Sequence, residues 1–210
     1  MIVLKVVIRF IECLFGTVAK DPELYGTFIA NKAPPENLEE ELKTLPNAKE
    51  IEESGWTCFH EDDNGLFIYE YMVKGFLKNA GNVLKEKENL DIRALKSKIN
   101  NLVFIKPRRI YLGKKEPDGF EERPIIFMTA QGPRTALKRS DYIDRGTEIA
   151  FEIKLYPHKE VTVDVIKKLL EYGKDQGLGQ WRNGGWGAFE VVSCEEVDAP
   201  EQKNSICDSV

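Results

Sequence analysis

Histidine is nearly absent from this chain: His60 and His158 are the only two in 210 residues, and they stand far apart. The four cysteines, Cys13, Cys58, Cys194 and Cys207, are equally scattered and form no C-x-x-C pair. A structural zinc site needs clustered thiolates or imidazoles, and a disulfide framework needs cysteines at paired spacings. The pattern argues against both and favours a reducing cytoplasm. Metallohydrolase, thiol-redox and Ser-His-Asp readings lose most of their weight for the same reason. Long apolar runs are missing too. Mean hydropathy is -0.37, and no stretch approaches the roughly 18 apolar residues of a membrane span. The opening MIVLKVVIRFIECLFG is interrupted by Lys5, Arg9 and Glu12 at a strand-like rhythm, with no small-residue cleavage site after it. It reads as a first strand and not as a signal peptide. No internal repeat is visible, and no cofactor or metal is called for.

What is present is ordinary globular composition with an uneven charge. Hydrophobic residues make up 42% and charged ones 31%, enough for one generous domain with its own core. The net charge of -5 speaks against a generic nucleic-acid coat. Yet residues 32–63 hold ten acids and three bases, whereas residues 74–145 hold seventeen bases and nine acids. The tail from Glu195 is acidic again. Such blocks describe a basic working face beside acidic appendages, or a solvated surface with chance clustering.

Periodicity supplies the elements. Ile2, Leu4, Val6, Ile8 and Phe10 alternate with Val3, Val7 and Ile11, as in a central strand. Residues 16–65 are irregular, apart from a short possible helix at 36–43, and read as a long insertion that is functional or mobile. A β-rich run, residues 66–72, is followed by a helix opening at Lys74-Gly75, with Phe76, Leu77, Ala80, Val83 and Leu84 on one stripe. A second helical stretch starts at Asp91. Strands are expected at 102–112, where Pro107 forces an edge or bulge, at 124–130, and at 147–156. Residues 134–139 read as a loop between strands. Thr162 is an expected N-cap for a helix ending near Gly173, and a last strand follows at 187–193.

Without its insertion the chain runs strand, helix, strand, strand, helix, strand. That is an α+β, ferredoxin-like (RRM-like) order: one antiparallel sheet with two helices on one face and a long insertion after the first strand. The other face would stay open, and RNA-recognition modules use it. The expectation is a single domain over residues 1–197, with the insertion at about 16–65 and an acidic, disordered tail at 198–210.

One segment carries chemistry. Gly177-Leu-Gly179-Gln-Trp-Arg182-Asn-Gly184-Gly185-Trp-Gly187 has five glycines in eleven residues. Glycine allows positive φ and lets backbone N–H groups approach an anion. Arg182 offers a bidentate phosphate donor, and Trp181 or Trp186 offers a stacking surface. A dinucleotide fingerprint would follow a strand and open a helix; this loop does the reverse. The plainer reading is a tight turn whose tryptophans pad the core.

In that context the sequence resembles a known family. The helix, the G-x-G-x-x-R-x-x-G-x-G loop and the final strand resemble the signature of the CRISPR-associated RAMP superfamily, closest to the guide-RNA-binding backbone subunits of effector complexes. Val73-Lys74-Gly75-Phe76-Leu77-Lys78 resembles the start of their first helix. Residues 134–139 and 145–152 resemble the approach to their third core strand. The resemblance covers roughly residues 1–12 and 66–193, and residues 16–65 have no match. It implies a cytoplasmic protein of antiviral defence that holds single-stranded, guide-type RNA within a ribonucleoprotein, with other subunits or copies of itself as partners and no membrane.

The residues expected to bind RNA are Lys74, Lys78, Arg108, Arg109, Arg134, Lys138, Arg139, Gly179, Gln180, Trp181, Arg182 and Gly185. No catalytic residue is expected. Two alternatives stay open: a RAMP-type ribonuclease using Asp21 or His60, and a phage or mobile-element interaction protein that keeps the fold without binding RNA. His158 reads as an ordinary loop residue.

Overall fold

The computed structural model describes residues 1–20, 56–87, 90, 92–129 and 132–197. Asp21, most of the expected insertion with its short helix, and the tail from Asp198 lie outside the described residues. In chain order the strands are β1 (Ile2–Phe10), β2 (Leu14–Phe15), β3 (Val18–Ala19), β4 (Thr57–Cys58), β5 (His60–Asp62) and β6 (Gly65–Tyr69). After helices α1 (Glu70–Lys87) and α2 (Leu95–Leu102) come β7 (Val103–Lys106), β8 (Arg109–Tyr111), β9 (Gly119–Thr129), β10 (Gly132–Ile143) and β11 (Glu148–Leu155). Helix α3 (Val163–Glu171) and β12 (Phe189–Val197) complete the described chain.

β1 sits inside a four-stranded antiparallel sheet of order β12-β1-β11-β7. Its period-two pattern explains this placement. Leu4, Val6, Ile8 and Phe10 are buried against the helices, together with Phe151, Ile153 and Leu155 of β11. Each such side chain contributes about 1.5–3 kcal/mol when removed from water. The helices cover one face: α1 packs on α2, α3 and β7, and α3 also packs on β12. Thr162 caps α3 as expected, its side-chain oxygen accepting from the Val165 amide at 3.4 Å. Val165, Ile166, Leu169 and Leu170 form the buried stripe of α3.

The whole is a mixed α/β protein with several largely antiparallel sheets, where one sheet was expected. β2, β10, β4 and β3 form a second sheet, with β9 paired along β10, and β5, β6 and β8 form a third. The ends of the irregular region are therefore core. Phe15, Cys58 and Phe59 are buried, and burial pushes the Cys58 thiol up to about 12. The run at 102–112 is not one strand. It breaks at a cis Lys106–Pro107 bond, so that β7 edges the first sheet and β8 joins the third. Proline has no N–H to give a ladder, so pairing cannot continue through it. Helix α1 opens at Glu70, a full turn before Lys74.

The largest difference lies at residues 134–139. They form strand, not loop: β9 and β10 pair continuously from Tyr142–Gly119 to Gly132–Thr129. Over its outer part this ribbon leaves Ile126, Met128 and Leu137 more than two-thirds exposed. Among the described residues, no helix is long and apolar enough to cross a membrane.

Candidate functional site

The glycine loop crosses from α3 to β12 and folds back on β2. Contact requires glycine at both ends of the loop. A Cβ on Gly177 would lie 1.7 Å from the Gly187 carbonyl oxygen, and one on Gly187 would lie 1.9 Å from that of Leu178. The two ends of the loop touch backbone to backbone, joined by Leu178 N–H donating to the Gly187 carbonyl at 3.0 Å. Gly187 also has a φ of +69°, and its N–H donates to the Cys13 carbonyl at 2.9 Å. Between these ends the chain bulges outward as a short 3₁₀ turn, Arg182–Gly184.

Gln180 anchors that bulge. With its amide oriented to satisfy its neighbours, the NH₂ lies 2.7 Å from Thr57 Oγ1 and 2.9 Å from the Gly16 carbonyl, and the oxygen accepts from Lys138 Nζ at 2.6 Å. Ser140, fully buried, bonds Thr57 Oγ1 at 2.8 Å and extends the network. The loop, β4 and the β10 strand are thus stitched through one side chain.

The tryptophans are engaged inside the protein. Trp181 and Trp186 pack against Phe15, with ring centroids at 4.7 and 5.1 Å. The Arg123 guanidinium sits 4.7 Å from the centroid of each. It is also held by Glu121 at 2.8 Å. Stacking of this kind is worth about 0.5–2 kcal/mol per cation–π contact, so the rings stabilise the loop. Both rings are half-buried, packed between Phe15 and Arg123. Trp181 pays for its position with a φ of +57°, a left-handed conformation that costs a non-glycine residue about 1–2 kcal/mol.

These groups line a cavity of about 590 Å³, formed by Thr17, Arg123, Lys138 and residues 179–184. Three cations face it and no carboxylate lines it. Among the described residues, exposed Arg182 makes no ion pair. Burial pushes the Lys138 ammonium below the ordinary lysine pKa, because its contact is a neutral amide oxygen and not an acid. An anion in the cavity would favour the charged form, so binding would take up a proton wherever Lys138 has begun to lose it. Affinity for a polyanion should therefore fall as pH rises toward the ordinary lysine value of about 10.4. Lys138→Gln should flatten that dependence in a pH series of binding isotherms; an unchanged slope would remove Lys138 from the site.

No protein-family model matches this chain, and no curated protein matches it. Among solved structures, a chain of the cryo-EM structure of the Type III-B Cmr-beta bound to cognate target RNA is similar at 13% identity, with a TM-score of 0.46. The match covers 93% of this chain and 60% of that chain, so the present sequence spans less than two thirds of its length. At that identity and overlap, neither an activity nor a residue role transfers.

Of the residues expected to bind RNA, the structure gathers Lys138, Gly179, Gln180, Trp181 and Arg182 around the cavity. Gly185 lies beside it, with a φ of +85° and open space around the position of a Cβ. Arg139 points away, as the neighbour of Lys138 on a strand must. Its guanidinium lies 3.8 Å from the Trp56 ring centroid and 3.2 Å from that of Phe120. Arg134 is on the same strand, opposite Phe127. Arg108 and Arg109 belong to a different region, over Tyr69 and Phe67, and Arg109 is paired with Asp62 at 2.8 Å. Lys74 and Lys78 lie one and two turns inside α1, not at its start. His60 is buried and stacked on Phe67 with centroids at 5.5 Å, a core position with no opening to a substrate.

The two central strands of the four-stranded sheet carry no aromatic ring on its open face. They present Lys5 and Arg9 there, beside Glu148, Glu152 and Lys154, with Arg9 bound to Glu148 at 2.6 Å. Arg123, Thr17 and Asn183 are cavity residues that sequence reading missed. Arg123 could have been found from the hairpin, since it lies directly opposite Lys138.

Proposed function

We propose that this chain is a RAMP-like RNA-binding protein whose glycine-loop cavity holds the backbone of single-stranded, guide-type RNA. The observation that carries the reading is the cavity itself: Arg123, Lys138 and Arg182 converge with no acid on its walls. A polyanion suits Lys138 and Arg182, which have no acid partner among the described residues, and phosphate accepts bidentate bonds from a guanidinium. The four-stranded sheet of order β12-β1-β11-β7, with helices on one face, supports the ferredoxin-like part of this reading. The family motifs also keep their order along this chain. Residues 1–197 act as one domain in this reading, and the protein works as part of a ribonucleoprotein.

Fluorescence anisotropy with labelled single-stranded RNAs of unrelated sequence, from about 50 to 200 mM salt, tests it. Affinity should fall steeply with salt and vary little with sequence, and the RNA should be recovered intact. A flat salt response would remove the backbone clamp, and absence of binding would favour an interaction protein that has kept only the fold.

A further inference from the structure

A second cluster of stacking and cationic groups lies far from the glycine loop, at the β7 edge of the four-stranded sheet. Phe104 on β7 and Tyr156, just past β11, are exposed by 41% and 49%. Their rings meet edge to face, with centroids 5.8 Å apart. Lys74 Nζ stands 4.7 Å from the Phe104 ring centroid. Lys154 is the register partner of Phe104, and Lys106 follows two residues on, along the same side of β7. Lys78 is a turn further along α1. The acids nearby are Glu152, opposite Lys106, and Glu70, a turn before Lys74. Two solvated aromatic rings beside four lysines suit neither a protein core nor an ordinary charged edge.

We propose that Phe104 and Tyr156 form a second contact for the same single strand, stacking one or two of its bases while Lys74, Lys106 and Lys154 meet the adjoining phosphates. The proposal rests on the RNA reading above and adds a site that the cavity does not contain. Stacking on an aromatic face is tolerant of sequence, because every base has a π surface. The position fits a continuous strand. The glycine loop enters β12 at Phe189, which pairs with Phe10 of β1, whereas Phe104 pairs with Lys154, which pairs with Val3. Phe189, where the loop re-enters the sheet, and Phe104 thus stand at opposite corners of the sheet, roughly 27 Å apart from three strand spacings and seven residues of rise. A stacked strand spans that gap with on the order of eight nucleotides at about 3.4 Å each. One long RNA can engage both corners and gain by linkage; a short one cannot.

The test compares RNAs of about 4 and about 16 nucleotides on the full chain. Phe104→Ala/Tyr156→Ala should weaken binding of the long RNA by roughly five- to a hundredfold, the range for loss of one stacked base, and leave the short RNA unaffected at the cavity. Phe104→Trp/Tyr156→Phe, which keeps both rings, should retain the wild-type affinity. Circular dichroism and thermal unfolding of each variant separate loss of contact from loss of fold. Long-RNA binding that is unchanged in a folded Phe104→Ala/Tyr156→Ala protein overturns this site alone. Failure of the wild type to bind either RNA overturns the RNA reading, and this site with it.

Discussion

Gly187→Ala should unfold the glycine loop and lower the midpoint of thermal unfolding by roughly 4–20 °C. The new methyl carbon would lie 1.9 Å from the Leu178 carbonyl oxygen, a backbone atom that cannot swing aside. Its φ of +69° adds the left-handed penalty of about 1–2 kcal/mol. Overpacking of this kind adds about 1–3 kcal/mol, and each kcal/mol shifts the midpoint of a domain this size by about 2–4 °C. Gly185→Ala is the control. Its φ of +85° carries the same backbone penalty, but nothing lies within 4 Å of the added carbon. It should lower the midpoint by only roughly 2–8 °C, from about 1–2 kcal/mol of strain. Equal effects of the two, read by calorimetry, would mean that backbone contact between the loop's ends is not what shapes it.

Arg182→Ala should do the opposite: weaken RNA binding by roughly ten- to a hundredfold and leave stability almost untouched. The side chain is exposed and makes no ion pair among the described residues, so its removal costs the fold little. A charge-assisted contact to phosphate is worth about 1.5–3 kcal/mol, which sets the expected loss. Arg123 is not equivalent. It supports two tryptophans and is paired with Glu121, so Arg123→Ala should lose packing as well as charge.

Why some of this was legible in the sequence and some not follows from burial. β1, β11 and α3 each have one face against the core, so their hydrophobic periods are clean and their positions follow. The glycine loop was legible because its composition is extreme. The β10 strand was not, because the apolar residues described in the ribbon's outer part, Ile126, Met128 and Leu137, are exposed and so mark no core-facing side. That error hid Arg123, whose place in the cavity depends on hairpin register. It also grouped Lys138 with Arg139, which a strand sends to opposite faces. The ends of the irregular region were missed for another reason. β2 to β4 are two residues each, too short to show any period, and their burial comes from partners distant in sequence.

The most direct measurement is the slope of log affinity against log salt for single-stranded RNA, taken on the wild type and on Arg182→Ala in parallel. If Arg182 neutralises one phosphate in the cavity, the wild-type slope should be steep and the variant's shallower by about 0.7, the counterion release of one contact on a single strand. Thermal midpoints of the two proteins should agree. The same slope and affinity in both, or normal RNA binding together with a lowered midpoint in Arg182→Ala, would contradict the account and leave the loop a purely structural turn.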